Sequence, residues 1–223
     1  MQRAAGGGPP RETQNEGRHT MLAKLFKLKE SGTTARTEIL AGMTTMQKRY
    51  ISANEYLDDT WKLASMVRNS GWRPDILIAL WRGGAPVGIA VHEYLKATGW
   101  DLQHIPLKSV SYSGIGRNDG GVVFTHGDVV FGMIRKGDKV LVVDDVFDTG
   151  KTAAAVKEKI EAAGAEFRIA CVYFKPLKNT TSIAPDYFTR DVSNDWIVFP
   201  HEIEGLTPDE VREKSPSLAD LMG

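Results

Sequence analysis

The sequence is poor in the features that mark secreted and membrane proteins. It has one cysteine, Cys171, which excludes an intramolecular disulfide framework and a metal site built from several cysteines. No stretch approaches the roughly 20 apolar residues that a membrane-spanning helix needs, and the first residues lack the apolar core of a secretory signal. We therefore expect a cytoplasmic protein without a membrane span, in which Cys171 is a small buried side chain.

An excess of charge of either sign is also lacking. Lys and Arg together number 28, as do Asp and Glu, so the chain as a whole is not attracted to nucleic acid or to an anionic membrane. Apolar residues make up 42% and charged residues 25% of the 223 residues, which is ordinary for a soluble globular protein. The composition predicts a globular chain with no nucleic-acid partner.

The pattern of elements divides the chain at about residue 45. Residues 1–45 contain a Gly-Pro run and a short basic apolar stretch, and we expect a flexible extension in which that stretch is a surface tail or helix rather than a membrane anchor. The domain proper is predicted over residues 46–223. There, apolar strands at 76–80, 102–107, 140–144 and 167–174 alternate with amphipathic helices, which predicts an α/β fold with a mostly parallel sheet. Residues 109–128 are predicted to be a long functional loop.

The segment from Val140 to Thr152 joins an apolar strand to a helix through a turn rich in acids and glycine. Backbone N–H groups at a helix N-terminus, with Gly150 allowing close approach, form a cradle for phosphate. Phosphate would repel Asp144 and Asp145 beside that cradle, so sugar hydroxyls or Mg²⁺ are the natural partners of these acids. The segment therefore predicts binding of a phosphorylated sugar with free hydroxyls.

Three other interpretations fit parts of this segment. Gly150-Lys151-Thr152 resembles the end of a P-loop, but that motif needs glycine where Asp145 stands. The strand with its two acids resembles the first strand of a response-regulator receiver, yet two strand-and-helix units precede it here. The acids could also be simple helix caps. We prefer the phosphorylated sugar because it accounts for every part of the segment.

The same segment closely resembles the phosphoribosyl-pyrophosphate signature of the type I phosphoribosyltransferases, an apolar strand and two acids followed by Asp-Thr-Gly. The resemblance implies that family's fold, a mostly parallel twisted sheet flanked by helices, with a small hood segment. It implies that Asp144 and Asp145 hold the ribose hydroxyls of phosphoribosyl pyrophosphate (PRPP). The residues implied to wrap its 5-phosphate are Asp148, Thr149, Gly150, Lys151 and Thr152.

Two further stretches match the family's pattern. Trp81-Arg82-Gly83-Gly84 resembles the pyrophosphate-binding loop, in which a basic residue and close-approach glycines suit a diphosphate leaving group, and in which the peptide before the basic residue is often cis. Taken alone, it could be a glycine turn with a solvated arginine. Ser111-Tyr112 resembles the Ser-Tyr pair of the mobile lid, although the dipeptide by itself is a weak signal.

Residues after the signature imply the base. Lys175 matches the lysine that donates to O6 of a 6-oxopurine, and a surface lysine before a turn is the alternative. The stretch 195–202 resembles the hood of xanthine-guanine enzymes, which implies that Trp196 stacks on the purine and that the backbone of Ile197 bonds its edge. Taken alone, Trp196 could be a core residue. The pattern departs at His201, where Trp is common, so the outer wall of the pocket is expected to differ.

The resemblance as a whole implies a purine-salvage enzyme that converts PRPP and hypoxanthine, guanine or xanthine to a nucleoside 5′-monophosphate. Mg²⁺ would be held by Glu202, Asp144 and Asp145, and Asp148 would accept the proton that the base loses. Homodimers or homotetramers are usual in the family. The alternatives are a PRPP-sensing regulator and a phosphoribosyltransferase for another base. Residues 25–45 are weakly similar to the start of bacterial purine permeases.

Overall fold

The structure, a computed structural model, describes residues 48–111, 121–192 and 195–223. The predicted extension 1–45 and Tyr112 lie outside these ranges. The elements, in chain order, are β1 Lys48–Tyr50, α1 Ala53–Asn69, β2 Ile76–Trp81, α2 Gly84–Ala97, β3 Gln103–Ser111, β4 Val122–Thr125, α3 Gly127–Gly132, β5 Lys139–Phe147, α4 Lys151–Ala162, β6 Glu166–Phe174, the 3-10 turn Pro176–Lys178, β7 Tyr187–Asp191, β8 Trp196–Val198, α5 Pro208–Lys214 and α6 Pro216–Met222.

Six strands form one sheet in the order β4-β3-β2-β5-β6-β7, and every pair is parallel except β3 with β4. The predicted α/β fold with a mostly parallel sheet is therefore confirmed. β1 and β8 pair separately as a small parallel ribbon. Since β2 and β5 are neighbours, the turns that follow their carboxyl ends lie side by side, which is where ligands bind on sheets of this kind.

The sheet carries an apolar core on each face. In β2, Leu77 belongs to a cluster that includes residues of α1 and α2, whereas Ile78 belongs to a second cluster that includes residues of α3 and α4. This alternation follows from the two-residue period of a strand, and burial on both faces explains why β2 and β5 are continuous apolar runs. Cys171 in β6 is fully buried, as predicted.

The prediction of a structureless loop over 109–128 was wrong at both ends of that segment. β3 continues to Ser111, and Val122–Thr125 pairs with it antiparallel as β4, with Val110 opposite Val123. α3 follows directly at Gly127. The polar residues around the two valine-containing runs hid their pairing, in which β4 is the edge strand and pairs only with β3 among the described strands.

The predicted strand over 140–144 is longer, ending at Phe147, because β6 continues beside it and pairs Val146 with Tyr173. α1 begins after Ser52, whose hydroxyl accepts from the Glu55 amide as a helix cap. Within the described ranges, no helix is long and apolar enough to cross a membrane.

Candidate active site

Two acids stand at the carboxyl end of β5. Asp145 is buried, and one of its oxygens accepts from the Val146 amide at 2.7 Å, while Asp144 accepts from the Asp145 amide at 3.0 Å. Burial raises the pKa of both carboxyls, and in Asp144 the neighbouring Asp145 charge adds to the effect. Two adjacent buried acids need donors or a cation to face them when both are ionised.

The turn after β2 packs directly against these acids. A Cβ built on Gly83 would lie 2.0 Å from a carboxylate oxygen of Asp145, and one built on Gly84 would lie 2.5 Å from the Val143 carbonyl oxygen. Only glycine allows this approach without displacement of its neighbours. The predicted pyrophosphate loop and the predicted ribose acids are thus in contact, and the Trp81–Arg82 peptide is cis, as the resemblance implied.

Arg82 itself pairs with an exposed partner. Its guanidinium lies 3.0 Å from the carboxylate of Glu204, and both side chains are mostly exposed. An exposed pair of this kind contributes little to stability. Arg82 is therefore able to exchange Glu204 for a stronger anionic partner at small cost.

The turn between β5 and α4 encloses a cavity of about 100 Å³. Gly150 adopts a left-handed conformation with φ +77°, directly before α4. A Cβ there would lie 2.5 Å from the Thr181 hydroxyl, so the loop after β6 supports the turn from behind. The cavity walls include Asp144, Asp148, Thr149, Gly150 and Thr152. The structure thus gathers the residues of the predicted phosphate cradle, while Lys151 lines a separate neighbouring cavity of about 590 Å³.

Asp148 and Lys175 face each other across the end of the sheet. The Lys175 ammonium lies 3.9 Å from one oxygen of Asp148, and the Lys175 side chain is 8% exposed. Burial lowers the pKa of Lys175, and the charge of Asp148 partly opposes that shift. The other oxygen of Asp148 is buried and has no hydrogen-bond partner among the described residues. The rest of the side chain is accessible, since the Asp148 side chain is 40% exposed overall.

The hood segment begins in β8. Trp196 is 44% exposed, and the Lys48 ammonium lies 5.2 Å from its ring centroid. Ile197 is buried and pairs with Arg49 in the ribbon, so its side chain belongs to the core. Trp196 therefore presents an aromatic surface to solvent, whereas any role of Ile197 in binding falls to its backbone.

The turn after β8 brings a histidine to the acids. Asp145, His201 and Glu202 each offer one ligand atom, and these atoms all lie within 4.8 Å of one another. Two of the three predicted metal ligands, Asp145 and Glu202, are thus together, and Asp144 is not part of this group. His201, which the sequence marked only as a departure from the family's pattern, takes its place.

Two residues of the site had no sequence signal. Tyr56, in α1, is buried and donates its hydroxyl to the Gly83 carbonyl at 3.4 Å; burial and then the charge of Asp145 raise its pKa. Lys214, in α5, donates to the carbonyls of Phe199 and Glu202. Both side chains bind backbone carbonyls of segments that are distant from them in the sequence, so no local motif reveals these contacts. Of the predicted lid pair, Ser111 ends β3, and Tyr112 lies outside the described residues.

Comparisons with known proteins identify a family and relatives of the chain. The profile of the family described as the phosphoribosyl transferase domain matches residues 48–205. A hypoxanthine-guanine phosphoribosyltransferase of Lactococcus lactis is 28% identical over 155 residues, which are 69% of this chain and 81% of that protein. The structure of a purine phosphoribosyltransferase from Pyrococcus horikoshii is 31% identical, with a TM-score of 0.58 over 73% of this chain and 98% of the other. A xanthine-guanine-hypoxanthine phosphoribosyltransferase of Helicobacter pylori, 21% identical over 71% of this chain and 96% of the other, shares the fold with a TM-score of 0.54.

Proposed function

Because the chain belongs to the phosphoribosyltransferase family, we propose that it transfers the 5-phosphoribosyl group of PRPP to a 6-oxopurine, releasing pyrophosphate. One observation carries the proposal: the glycines after β2 lie against Asp144 and Asp145 in β5, so the turn proposed to bind diphosphate meets the acids proposed to bind ribose. The similarity to enzymes named for hypoxanthine, guanine and purines supports the choice of base.

The phosphate end of PRPP fits the cavity before α4. Gly150, Thr152 and Ala153 line this cavity at the N-terminus of α4, where the positive end of the helix dipole favours an anion. Asp144 and Asp145 are then placed to accept from the ribose hydroxyls. Arg82 leaves Glu204 and pairs with the pyrophosphate, which offers a higher charge and more oxygens.

The purine stacks on the exposed face of Trp196 and directs its O6 toward Lys175. An ammonium donates hydrogen bonds and accepts none, so it suits a carbonyl at position 6 and leaves an amino group there without an acceptor. Lys175 does not distinguish hypoxanthine, guanine and xanthine. That choice falls to contacts with the base edge, for which the backbone of Ile197 is placed.

The chemical step separates charge at the anomeric carbon as pyrophosphate leaves. Asp148 accepts the proton that the purine nitrogen loses, and its 40% exposed side chain can be reached by a base. Lys175, 3.9 Å from one carboxylate oxygen, offsets the charge of the Asp148 carboxylate and orients it. The carboxylates of Asp145 and Glu202 fit a divalent cation such as Mg²⁺, which when bound supplies positive charge to the leaving diphosphate.

The other predictions extend this proposal. Ser111 and Tyr112 belong to a lid that excludes water from the ribose. The enzyme works in the cytoplasm as a homodimer or homotetramer, and residues 1–45 form an extension separate from the catalytic domain of residues 46–223.

The test measures pyrophosphate release from PRPP and Mg²⁺ with hypoxanthine, guanine, xanthine, adenine, uracil and orotate supplied separately. We expect turnover with at least one 6-oxopurine and none with the other three bases. Asp145→Asn, purified in the same way, is the negative control. Activity of a contaminating host enzyme would remain in that preparation, whereas activity of this protein would be lost. PRPP binding without turnover on any base would contradict the proposal and favour a PRPP-sensing regulator, and turnover on adenine, uracil or orotate would assign another substrate.

A further inference from the structure

We propose that His201 is a metal ligand and that, with Asp145 and Glu202, it forms a site that prefers a first-row transition ion such as Mn²⁺ or Co²⁺ to Mg²⁺. The inference deepens the proposed function, since it assigns the ion that would serve the pyrophosphate. The site itself rests on three side chains and does not depend on which base the enzyme uses.

The spacing of the three groups suits one small cation. Their ligand atoms lie within 4.8 Å of one another. Nitrogen and oxygen ligands at about 2.1 Å from one ion are separated by about 3 to 4.2 Å, depending on the angle between them. The three side chains therefore need to close by only about an ångström to bind a common ion.

The side chains are held where they meet. The His201 ring is stacked on Phe199, with centroids 5.8 Å apart and planes inclined at 16°, and it lies 6.0 Å from the ring of Tyr56. A carboxylate oxygen of Glu202 accepts from the Phe199 amide at 3.3 Å. Because Lys214 also donates to two carbonyls of this turn, the turn presents His201 and Glu202 in a fixed relation.

Charge also favours a cation at this point. Asp145 is buried beside Asp144, and Glu202 approaches from the hood. In the described ranges, neither Asp145 nor Glu202 forms an ion pair with a lysine or arginine: Lys214 bonds carbonyls, and Arg82 pairs with Glu204. A divalent ion is the group that would offset both carboxylates at once.

The choice of ion follows from the imidazole. Mg²⁺ is a hard ion that binds oxygen and keeps most of its water, whereas imidazole nitrogen is a favoured ligand of first-row transition ions. His201 is exposed and Glu202 is half-buried, so an ion can enter from solvent. Since Asp145 touches Gly83, the bound ion would lie beside the predicted pyrophosphate loop.

The test uses the full chain and the metals alone. Mn²⁺ is titrated and followed by electron paramagnetic resonance, and electron spin-echo measurements detect nitrogen coupled to the bound ion. We expect one Mn²⁺ per chain with a histidine nitrogen coupled to it. In His201→Asn that coupling is lost, the Kd for Mn²⁺ rises at least about tenfold, and the preference for Mn²⁺ over Mg²⁺ in competition narrows.

The matched control is His126→Asn, an exposed histidine on another element whose left-handed backbone asparagine tolerates. It should bind Mn²⁺ as the wild type does. Thermal unfolding without metal should be alike in all three proteins, because both histidines are exposed. His201→Gln is the second variant if His201→Asn unfolds.

Two results would overturn the proposal: no stoichiometric Mn²⁺ or Co²⁺ binding, or binding whose affinity and nitrogen coupling survive the loss of His201. Failure of the proposed function is distinguishable from this. A chain that binds Mn²⁺ through His201 yet releases no pyrophosphate with any base would retain the site and lose the activity.

Discussion

Replacement of Gly83 by alanine tests the contact on which the site depends. Gly83 has φ −61° and ψ −36°, a conformation that alanine adopts freely, so the backbone itself does not resist the change. The new methyl carbon would lie 2.0 Å from an oxygen of Asp145 and 2.3 Å from its carboxyl carbon. An ordinary contact is about 3.4 Å or more, so the carboxylate or the turn must move by more than an ångström.

The carboxylate has little freedom to move. Asp145 is buried, and its other oxygen accepts from the Val146 amide at 2.7 Å, a bond that rotation would break. Overpacking of this kind costs about 1–3 kcal/mol of stability. A displacement of about 1 Å at a catalytic group lowers the rate about 100-fold. We therefore expect Gly83→Ala to remain folded and to lose about 100-fold in kcat/KM for PRPP.

The assay is pyrophosphate release at varied PRPP, together with thermal unfolding. Gly132→Ala is the matched control, because a Cβ at Gly132 would meet nothing within 4 Å. Gly132 is the last residue of α3 and lies outside the turns that follow β2 and β5. The kcat/KM of Gly132→Ala should equal that of the wild type. If Gly83→Ala also keeps the wild-type kcat/KM, the contact between the turn after β2 and Asp145 does not position the ribose, and the argument for the site fails.

Three further predictions follow from other contacts. Asp148→Asn should lower kcat by about 10²- to 10⁴-fold with little change in KM for PRPP, because it removes the proton acceptor; an equal loss in binding measured by calorimetry would contradict that role. Lys175→Met should weaken 6-oxopurine binding about tenfold or more while leaving PRPP binding intact, since the O6 donor is lost; unchanged KM for the base would reject the assignment. Asp59→Asn should destabilise the protein by about 1–3 kcal/mol in denaturant titrations, because the buried carboxylate holds Arg190 at 2.5 Å, with kcat unchanged.

The Asp59 effect should depend on pH in a defined direction. Burial opposes the ionised form, but hydrogen bonds from Arg190 and Lys62 prevail and hold the pKa of Asp59 below its ordinary value. A carboxyl with a lowered folded-state pKa stabilises the fold above its unfolded pKa of about 3.9, and that stabilisation is lost as pH falls through the folded value. The difference in free energy of unfolding between wild type and Asp59→Asn should therefore be at its full value at pH 6 and should decrease as the pH falls below about 4.

The sequence predicted the parts of the site that are local in the chain. Asp144, Asp148 and Gly150 lie within seven residues of one another, so the strand-turn-helix that contains them largely fixes their arrangement. The glycines at 83 and 84 were predicted to allow a close approach, and they do, although to the Asp145 side chain and the Val143 carbonyl rather than to a ligand in this structure. The fold and the family were also predicted correctly, because the strand and helix pattern and the motif that identify them are local in the chain.

The sequence could not predict contacts that form only after the sheet has assembled. Tyr56 reaches Gly83 across 27 positions, and Lys48 reaches Glu210 across 162. The strand predicted at 102–107 is present within β3, but the continuation of β3 to Ser111 and the edge strand β4 were missed because these two runs are short and their apolar alternation is weak. His201 was noticed only as an unexpected residue, since nothing within its own segment shows that Asp145 would lie near it.

The site is built from two parts of the fold. The groups assigned to phosphate and ribose lie at the carboxyl ends of β2 and β5, in the interior of the sheet, where a displacement would disturb both cores. Of the groups assigned to the base and the cation, Lys175 and Asp145 also belong to the sheet, whereas Trp196, His201 and Glu202 belong to β8 and the turn after it, outside the six-stranded sheet, and Lys214 holds that turn. Lys214→Met should therefore weaken Mn²⁺ binding, because it releases the turn that presents His201 and Glu202, while PRPP affinity measured without metal stays unchanged. Equal losses of Mn²⁺ affinity and PRPP affinity would mean that the hood and the sheet do not move independently.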